Sequence, residues 1–318
     1  MAEQNLIERL DEIVDAAIAG GGGRVGEPVP LELAMLAVLA TDLCGLPDPQ
    51  FKQELRRRIL PMTTTAAVRI PPGLHTVTPY LVVEGASKLV AFLEQAFGGV
   101  EQMRVARPDN PEAIMHAEVL IGDSRIELAD ANDEYGALRF ELHLYVDDAD
   151  ATYARAMAAG ARSLAEPVDQ PYGDREAGVA DPFGNYWYIA THGKEIRPEG
   201  FRSITPFFHA PDAAAFIDFL KETFEARETA RFTSDEGKIL HALAFIGDSA
   251  LEIGDAHGEW QPMPAALHVF VDDADRVYER ALRAGAQSII APHDAPYGQR
   301  VGGVLDRYGN RWYMATVL

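Results

Sequence analysis

One cysteine in 318 residues, Cys44, excludes an internal disulfide and fits a reducing compartment. No apolar run approaches the ~20 residues needed to span a bilayer. The acidic, amphipathic opening MAEQNLIERLDEIVDA is not a secretory signal. Positive charge is scarce: 28 Lys and Arg stand against 49 Asp and Glu, a formal charge of −21 that repels phosphate backbones and anionic lipid. A G-x-S-x-G elbow, a P-loop lysine motif and a G-x-G-x-x-G after a strand are all missing. The glycines at 20–23 follow a helical stretch and read as a linker. Cys44, with no histidine near it in sequence, reads as a small buried hydrophobe rather than a nucleophile. These absences lead us to expect a soluble, cytoplasmic protein with no nucleic-acid partner and no membrane partner.

What is present is a long internal repeat. TVTPYLVVEGASKLVAFLEQAFGG is answered by SITPFFHAPDAAAFIDFLKETFEA, and HAEVLIGDSRIELAD by HALAFIGDSALEIGD. LHLYVDDADATYARAMAAGA is answered by LHVFVDDADRVYERALRAGA, and QPYGDREAGVADPFGNYWYIAT by APYGQRVGGVLDRYGNRWYMAT. The expected organisation is a helical segment over 1–62, a linker over 63–73, a first domain over 74–193 and a second over 201–318.

Each copy alternates between two periods. Residues 76–83 read as a strand; Leu89, Val90, Leu93 and Phe97 mark a helix over 86–97, stopped by Gly98-Gly99. Strands near 101–107, 113–121 and 124–130 follow, the last two joined by the Gly122-Asp123 turn. The pattern restarts with a strand over 140–147, a helix over 149–159 stopped by Gly160, and strands near 162–168, 175–180 and 185–191. Each copy is therefore two βαβββ modules, four in the chain. Asp147 and Asp148, like Asp272 and Asp273, fall where a helix N-terminus wants carboxylates. Ahead of the repeat, Leu6, Leu10, Ile13, Val14, Ala17 and Ile18 form one helical face; 31–43 and FKQELRRRIL read as two more helices. Pro71-Pro72 closes the linker. The N-terminal stripes suggest docking or self-association, not chemistry.

These repeated motifs resemble the vicinal-oxygen-chelate superfamily, which includes glyoxalases, bleomycin-resistance proteins and extradiol dioxygenases, and within it the PhnB-like branch. The resemblance covers about residues 74–318. It implies an α+β fold of tandem glyoxalase-like domains, with pairs of modules curling their sheets into open cups and helices outside. Whether consecutive modules pair, or modules of the first copy with those of the second, is left open, and with it whether Glu127 and Glu141 meet. It does not imply one reaction, because that cup serves isomerases, lyases, oxygenases and plain binders.

Strand alternation assigns side chains to the two faces. Met115, Ala117, Val119 and Ile121 are expected under the helix, leaving His116, Glu118 and Leu120 toward the cup. Arg125, Glu127, Glu141, His143, Tyr145, Tyr186 and Tyr188 face inward, joined by Thr78 and Tyr80. In the second copy the inward set is Thr205, Phe207, His209, His241, Leu243, Phe245, Glu252, Ala266, His268, Phe270, Arg311 and Tyr313. Thr78, Tyr80, His116, His143, Tyr188, Phe207, His241, Glu252, His268 and Tyr313 are the expected ligand contacts; Glu127 and Glu141 are the candidate catalytic carboxylates.

The resemblance also implies metal positions, two per module, which fall on Thr78, Glu127, Glu141 and Tyr188 in the first copy and on Thr205, Glu252, Ala266 and Tyr313 in the second. A working site needs His, Glu or Asp at about three of four, so neither a metal nor another cofactor is expected there. His116 and His143 leave room for a site off that pattern, although their repetition as His241 and His268 suits hydrogen bonding between strands. Without metal, Glu127 and Glu141 could share a proton, one rising to act as base, unless Arg125 or Arg175 neutralises them. Arg175 and its counterpart Arg300 are expected to brace the rim. The leading expectation is a binder of a small aromatic or amphiphilic molecule. A glyoxalase-type isomerase or lyase using Glu127 and Glu141, and a scaffold recruiting partners through its N-terminal helices, are the alternatives.

Overall fold

A computed structural model describes residues 68–318, except 194–196, 198, 199 and 259. The readings of the N-terminal helices, of Cys44 and of most of the linker lie outside the described residues. Both copies of the repeat fall in one compact unit.

The four modules appear in order. The first is β1 (Val77–Val83), α1 (Ala86–Phe97), β2 (Val100–Ala106), β3 (Ile114–Ile121) and β4 (Ser124–Asp130). The second is β5 (Glu141–Tyr145), α2 (Ala149–Ala158), β6 (Arg162–Asp169), β7 (Asp174–Ala180) and β8 (Tyr186–His192). The third is β9 (Ile204–Ala210), α3 (Ala213–Phe224), β10 (Arg227–Thr233), β11 (Ile239–Ile246) and β12 (Ser249–Asp255). The fourth is β13 (Ala266–Phe270), α4 (Ala274–Arg283), β14 (Gln287–Ala295), β15 (Gln299–Leu305) and β16 (Arg311–Val317).

Local chemistry sets these limits. Helix α1 ends because Gly98 turns left-handed at φ 69°, a conformation that costs glycine nothing. Asp148 and Asp273 cap α2 and α4, their side chains accepting from the backbone N–H of Ala151 and Arg276. In the loops DPFGN and DRYGN, Asp181 and Asp306 accept from Asn185 and Asn310 at 2.8 Å. The same carboxylates accept from the indole N–H of Trp187 and Trp312, at 3.1 and 3.0 Å. Both tryptophans are fully buried beneath the helices, against Phe97 and Phe224 respectively. The motif that precedes the last strand of each copy is thus a way of satisfying a core indole.

The pairing of modules crosses the copies. One eight-stranded sheet has the order β14-β15-β16-β13-β1-β4-β3-β2 and the other β10-β11-β12-β9-β5-β8-β7-β6. The first module therefore closes on the fourth, and the second on the third. The joints are short antiparallel ladders, Val77–Pro79 against Leu267–Val269 and Glu141–Leu144 against Ile204–Phe207. Pro79 and Pro206 stand in these joints, each without an N–H to donate. Loops lock the two sheets together. Asp248 accepts from the N–H of Thr76 at 2.8 Å, and Asp123 from that of Ser203 at 2.8 Å. Ser249 and Ser124 accept from Val77 and Ile204 in the same way, at 2.9 and 3.0 Å.

Alternation holds along most strands. The exception is Met115, expected under the helix but 47% exposed, while Ile114 is buried instead. The β2–β3 ladder slips between Val105 and Ala106, opposite this point, and a bulge reverses which side chains face the core.

Candidate ligand cups

The helices cover one face of each sheet; the opposite face is the cup. In the first cup, built by β1–β4 and β13–β16, Glu127 is buried and meets the Nδ1 of His268 at 3.0 Å. Register explains the contact: β1 separates the two strands, with Thr78 beside His268 and Tyr80 beside Glu127. Arg125 pairs with Glu118, and His116 stands 3.7 Å from the same carboxylate. Tyr80 packs edge-on to His116 and Tyr313, at 5.9 and 6.3 Å between ring centres. Burial, then Glu127, raises the Tyr80 phenol, and burial pushes Tyr313 up to about 12.

The second cup, built by β5–β8 and β9–β12, repeats that bond and adds another. His143 donates through Nδ1 to Glu252 at 2.9 Å, across β9, in the same relation as His268 to Glu127. His241 reaches the other oxygen of Glu252 at 3.3 Å. Glu141 accepts from His209 Nδ1 at 2.6 Å and from the Tyr188 hydroxyl at 3.1 Å. Where the second cup has Glu141 and His209, the first has Ala266 and Val82, also buried. An acid–imidazole pair in one cup is an apolar pair in the other.

Electrostatics follow from burial. Burial works to raise the Glu252 pKa, but the His143 and His241 rings outweigh it and hold it at about 2. The same burial works to lower His143, and Glu252 outweighs it, leaving the imidazole raised. Tyr188 rises through burial and then through Glu141 beside it. Around these groups stand aromatic walls. Tyr188 packs against Phe207 and Trp260, each 5.5 Å between ring centres, and Trp260 stacks on His209 at 5.5 Å and 18°.

The model of the Glyoxalase/Bleomycin resistance protein/Dioxygenase superfamily matches residues 73–189 and again 207–314. The chain belongs to this superfamily. Two mycobacterial relatives align with it: the uncharacterized protein MT0910 of Mycobacterium tuberculosis (strain CDC 1551 / Oshkosh) is 34% identical over 143 residues, 42% of this chain and 81% of that one. The uncharacterized protein Mb0911c of Mycobacterium bovis is 33% identical over 141 residues, 41% of this chain and 90% of that one. Glyoxalase I from Zea mays superposes with a TM-score of 0.57 at 14% identity, over 76% of this chain and 92% of that one, a likeness of fold.

The superfamily positions are redistributed by the crossed pairing. The first cup gathers Thr78, Glu127, Ala266 and Tyr313, and the second Glu141, Tyr188, Thr205 and Glu252. The pairing that the repeat leaves open is crossed: neither copy makes a cup by itself. Glu127 and Glu141 lie in different sheets, so the shared proton considered for them is corrected. A second correction concerns charge. Arg125 goes to Glu118, and Arg175 to Asp150 and Asp169, while histidines meet Glu127 and Glu141. Arg175 and Arg300 make matching bonds, tying the first turns of α2 and α4 to the neighbouring β6 and β14.

The other expected contacts are divided between the cups. Thr78, Tyr80, His116, His268 and Tyr313 belong to the first; His143, Tyr188, Phe207, His241 and Glu252 belong to the second. Trp260, Asp174 and Glu176 were not singled out from sequence. Trp260 sits outside the strands, where alternation says nothing, and the two acids are conspicuous only beside Gln299 and Val301 of the second copy.

Proposed function

We propose that the chain is a small-molecule-binding member of the superfamily, holding an aromatic or amphiphilic ligand in the second cup without a metal at the superfamily's usual positions. The observation that carries this reading is the aromatic wall of Tyr188, Phe207 and Trp260 around two buried Glu–His bonds. Apolar walls with a few convergent polar groups suit a flat organic ligand. The donor set supports the metal-free part. Two of the four positions carry phenol or aliphatic hydroxyl, and both carboxylates are already engaged by imidazoles. The lone cysteine and the acidic charge support a reducing cytoplasm and a small organic partner rather than nucleic acid or membrane. No helix among the described residues is long and apolar enough to cross a membrane.

Trp260 supplies the test. Trp187 and Trp312 are fully buried under the helices, whereas Trp260 lies in the cup and is partly exposed. Titration with a panel of flat aromatic compounds is expected to change indole emission saturably, and Trp260→Phe to remove that response while preserving the fold. The bound form gains about 2.7 kcal/mol at a ligand concentration of 100 Kd. A panel that leaves both emission and melting temperature unmoved would overturn the reading.

One observation favours a second reading. Glu141, held between the Nδ1 of His209 and the Tyr188 hydroxyl, has the surroundings of an acid–base group for a glyoxalase-type isomerase or lyase. On that reading Glu141→Gln abolishes turnover and leaves the fold intact.

A further inference from the structure

His143 is 7% exposed, and its two ring nitrogens have different fates. Nδ1 faces Glu252, and a carboxylate only accepts, so Nδ1 carries the proton. Nε2 is buried and has no hydrogen-bond partner among the described residues. A buried polar atom of this kind calls for a partner. In the sheet, Glu252 on β12 lies two strands to one side of β5, and β7 lies two strands to the other. On that other side stand Asp174 and Glu176, each with a carboxylate oxygen within 4.8 Å of a His143 ring nitrogen and of each other.

We propose that His143 Nε2, Asp174 and Glu176 form a binding site for a divalent first-row transition metal, off the superfamily's usual positions. Imidazole with two carboxylates suits such ions, and three protein ligands leave coordination positions open. Ligand atoms on one ion lie no more than about 4.4 Å apart, given bonds of about 2.0–2.2 Å. Small side-chain rotations bring the three into range.

The surroundings are built for that role. The bond from Nδ1 to Glu252 fixes the tautomer that presents a lone pair at Nε2, the outer-sphere arrangement usual for metal-bound histidine. Tyr172 donates to Glu176 Oε2 at 2.8 Å, and His192 meets Asp174 Oδ1, leaving Oε1 and Oδ2 to a ligand. Arg175, between the two acids, faces the other way and is taken by Asp150 and Asp169, so it does not neutralise them.

The first cup is the internal comparison. It keeps the histidine–glutamate bond as His268 to Glu127, but carries Gln299, Val301 and Val317 where the second has Asp174, Glu176 and His192. All three differences remove groups of this cluster. Among the described residues a second compact acid–imidazole group of this kind, His116, Glu118 and Glu127, is already balanced by Arg125 and His268.

The experiment uses the full chain stripped with chelator, then titrated calorimetrically with Zn2+ and with Mn2+ alone, and with Co2+ followed by its visible absorption. No organic ligand is present, so the outcome is independent of whether the cup binds one. Parent protein and Glu141→Gln are expected to bind one equivalent. Asp174→Asn and Glu176→Gln, each checked for an unchanged melting temperature without metal, are expected to weaken it at least 10-fold. Failure of all three ions to bind the parent, or equal binding by both carboxamide variants, overturns the proposal.

Discussion

Glu127 and Glu141 follow one another closely in the chain, yet each is bonded to a histidine of the opposite copy, His268 for the first and His209 for the second. They sit in separate eight-stranded sheets and share no partner among the described residues. Substituting either by Gln removes a buried charge-assisted bond, and each is expected to cost about 1–3 kcal/mol. Because the sites are independent, the double variant should show the sum of the two within about 0.5 kcal/mol. Urea denaturation of the four proteins measures this, and a larger coupling energy would contradict the crossed pairing.

The turns that lock one sheet to the other are the most demanding backbone positions. Gly247 has φ 57°, and a Cβ there would lie 2.3 Å from Thr76 Oγ1; Gly122 has φ 60° and would meet Ser203 Oγ at 2.1 Å. Gly98, at φ 69°, faces open space. Alanine at Gly98 is expected to cost about 1–2 kcal/mol from backbone strain alone. Alanine at Gly122 or Gly247 should cost clearly more, since the sheet–sheet lock must also shift. Melting temperatures of the three variants rank them.

His268 makes part of the stability pH-dependent. Burial lowers its pKa, but the Glu127 carboxylate outweighs burial and raises it above 6.5. A histidine raised on folding contributes stability that is complete below its unfolded pKa and lost as pH climbs through the folded value. Parent protein should therefore hold its largest advantage over His268→Gln below pH 6.5, shrinking toward alkaline pH. Thermal melts of both proteins across that range read the difference, and an advantage that grows with pH would contradict the assignment.

Acrylamide should distinguish the three tryptophans. Trp187 and Trp312 are sealed in the core, so the quenchable emission is assigned to Trp260. Trp260→Phe is expected to leave a spectrum that acrylamide barely quenches, and Trp187→Phe to leave the quenchable component in place.

The sequence was most informative where local rules act alone. The limits of α1 follow from apolar spacing and a glycine stop, and strand faces follow from alternation until a bulge near Met115 interrupts it. Module pairing was illegible for a specific reason. The joint that β1 makes with β13 involves Leu267-His268, and its rival β5 offers the same pair as Leu142-His143, so the local text favours neither partner. That ambiguity carried over to the site, because carboxylates assigned to one cup were divided between two. Asp174, Glu176 and His192 were legible in principle, as places where two nearly identical copies part company in charge.

The crossed topology also changes what kind of object the repeat is. A single copy, folded alone, would leave β1 and β5 without the partners that complete its sheets, and two such copies would have to find each other in solution. Joined in one chain, their encounter becomes an intramolecular closure governed by the linker, insensitive to dilution. An assembly of two identical copies is also bound to carry two identical cups. Covalent joining lifts that constraint, and Glu141 and His209 in one cup, against Ala266 and Val82 in the other, record how far the two cups have since gone their own way.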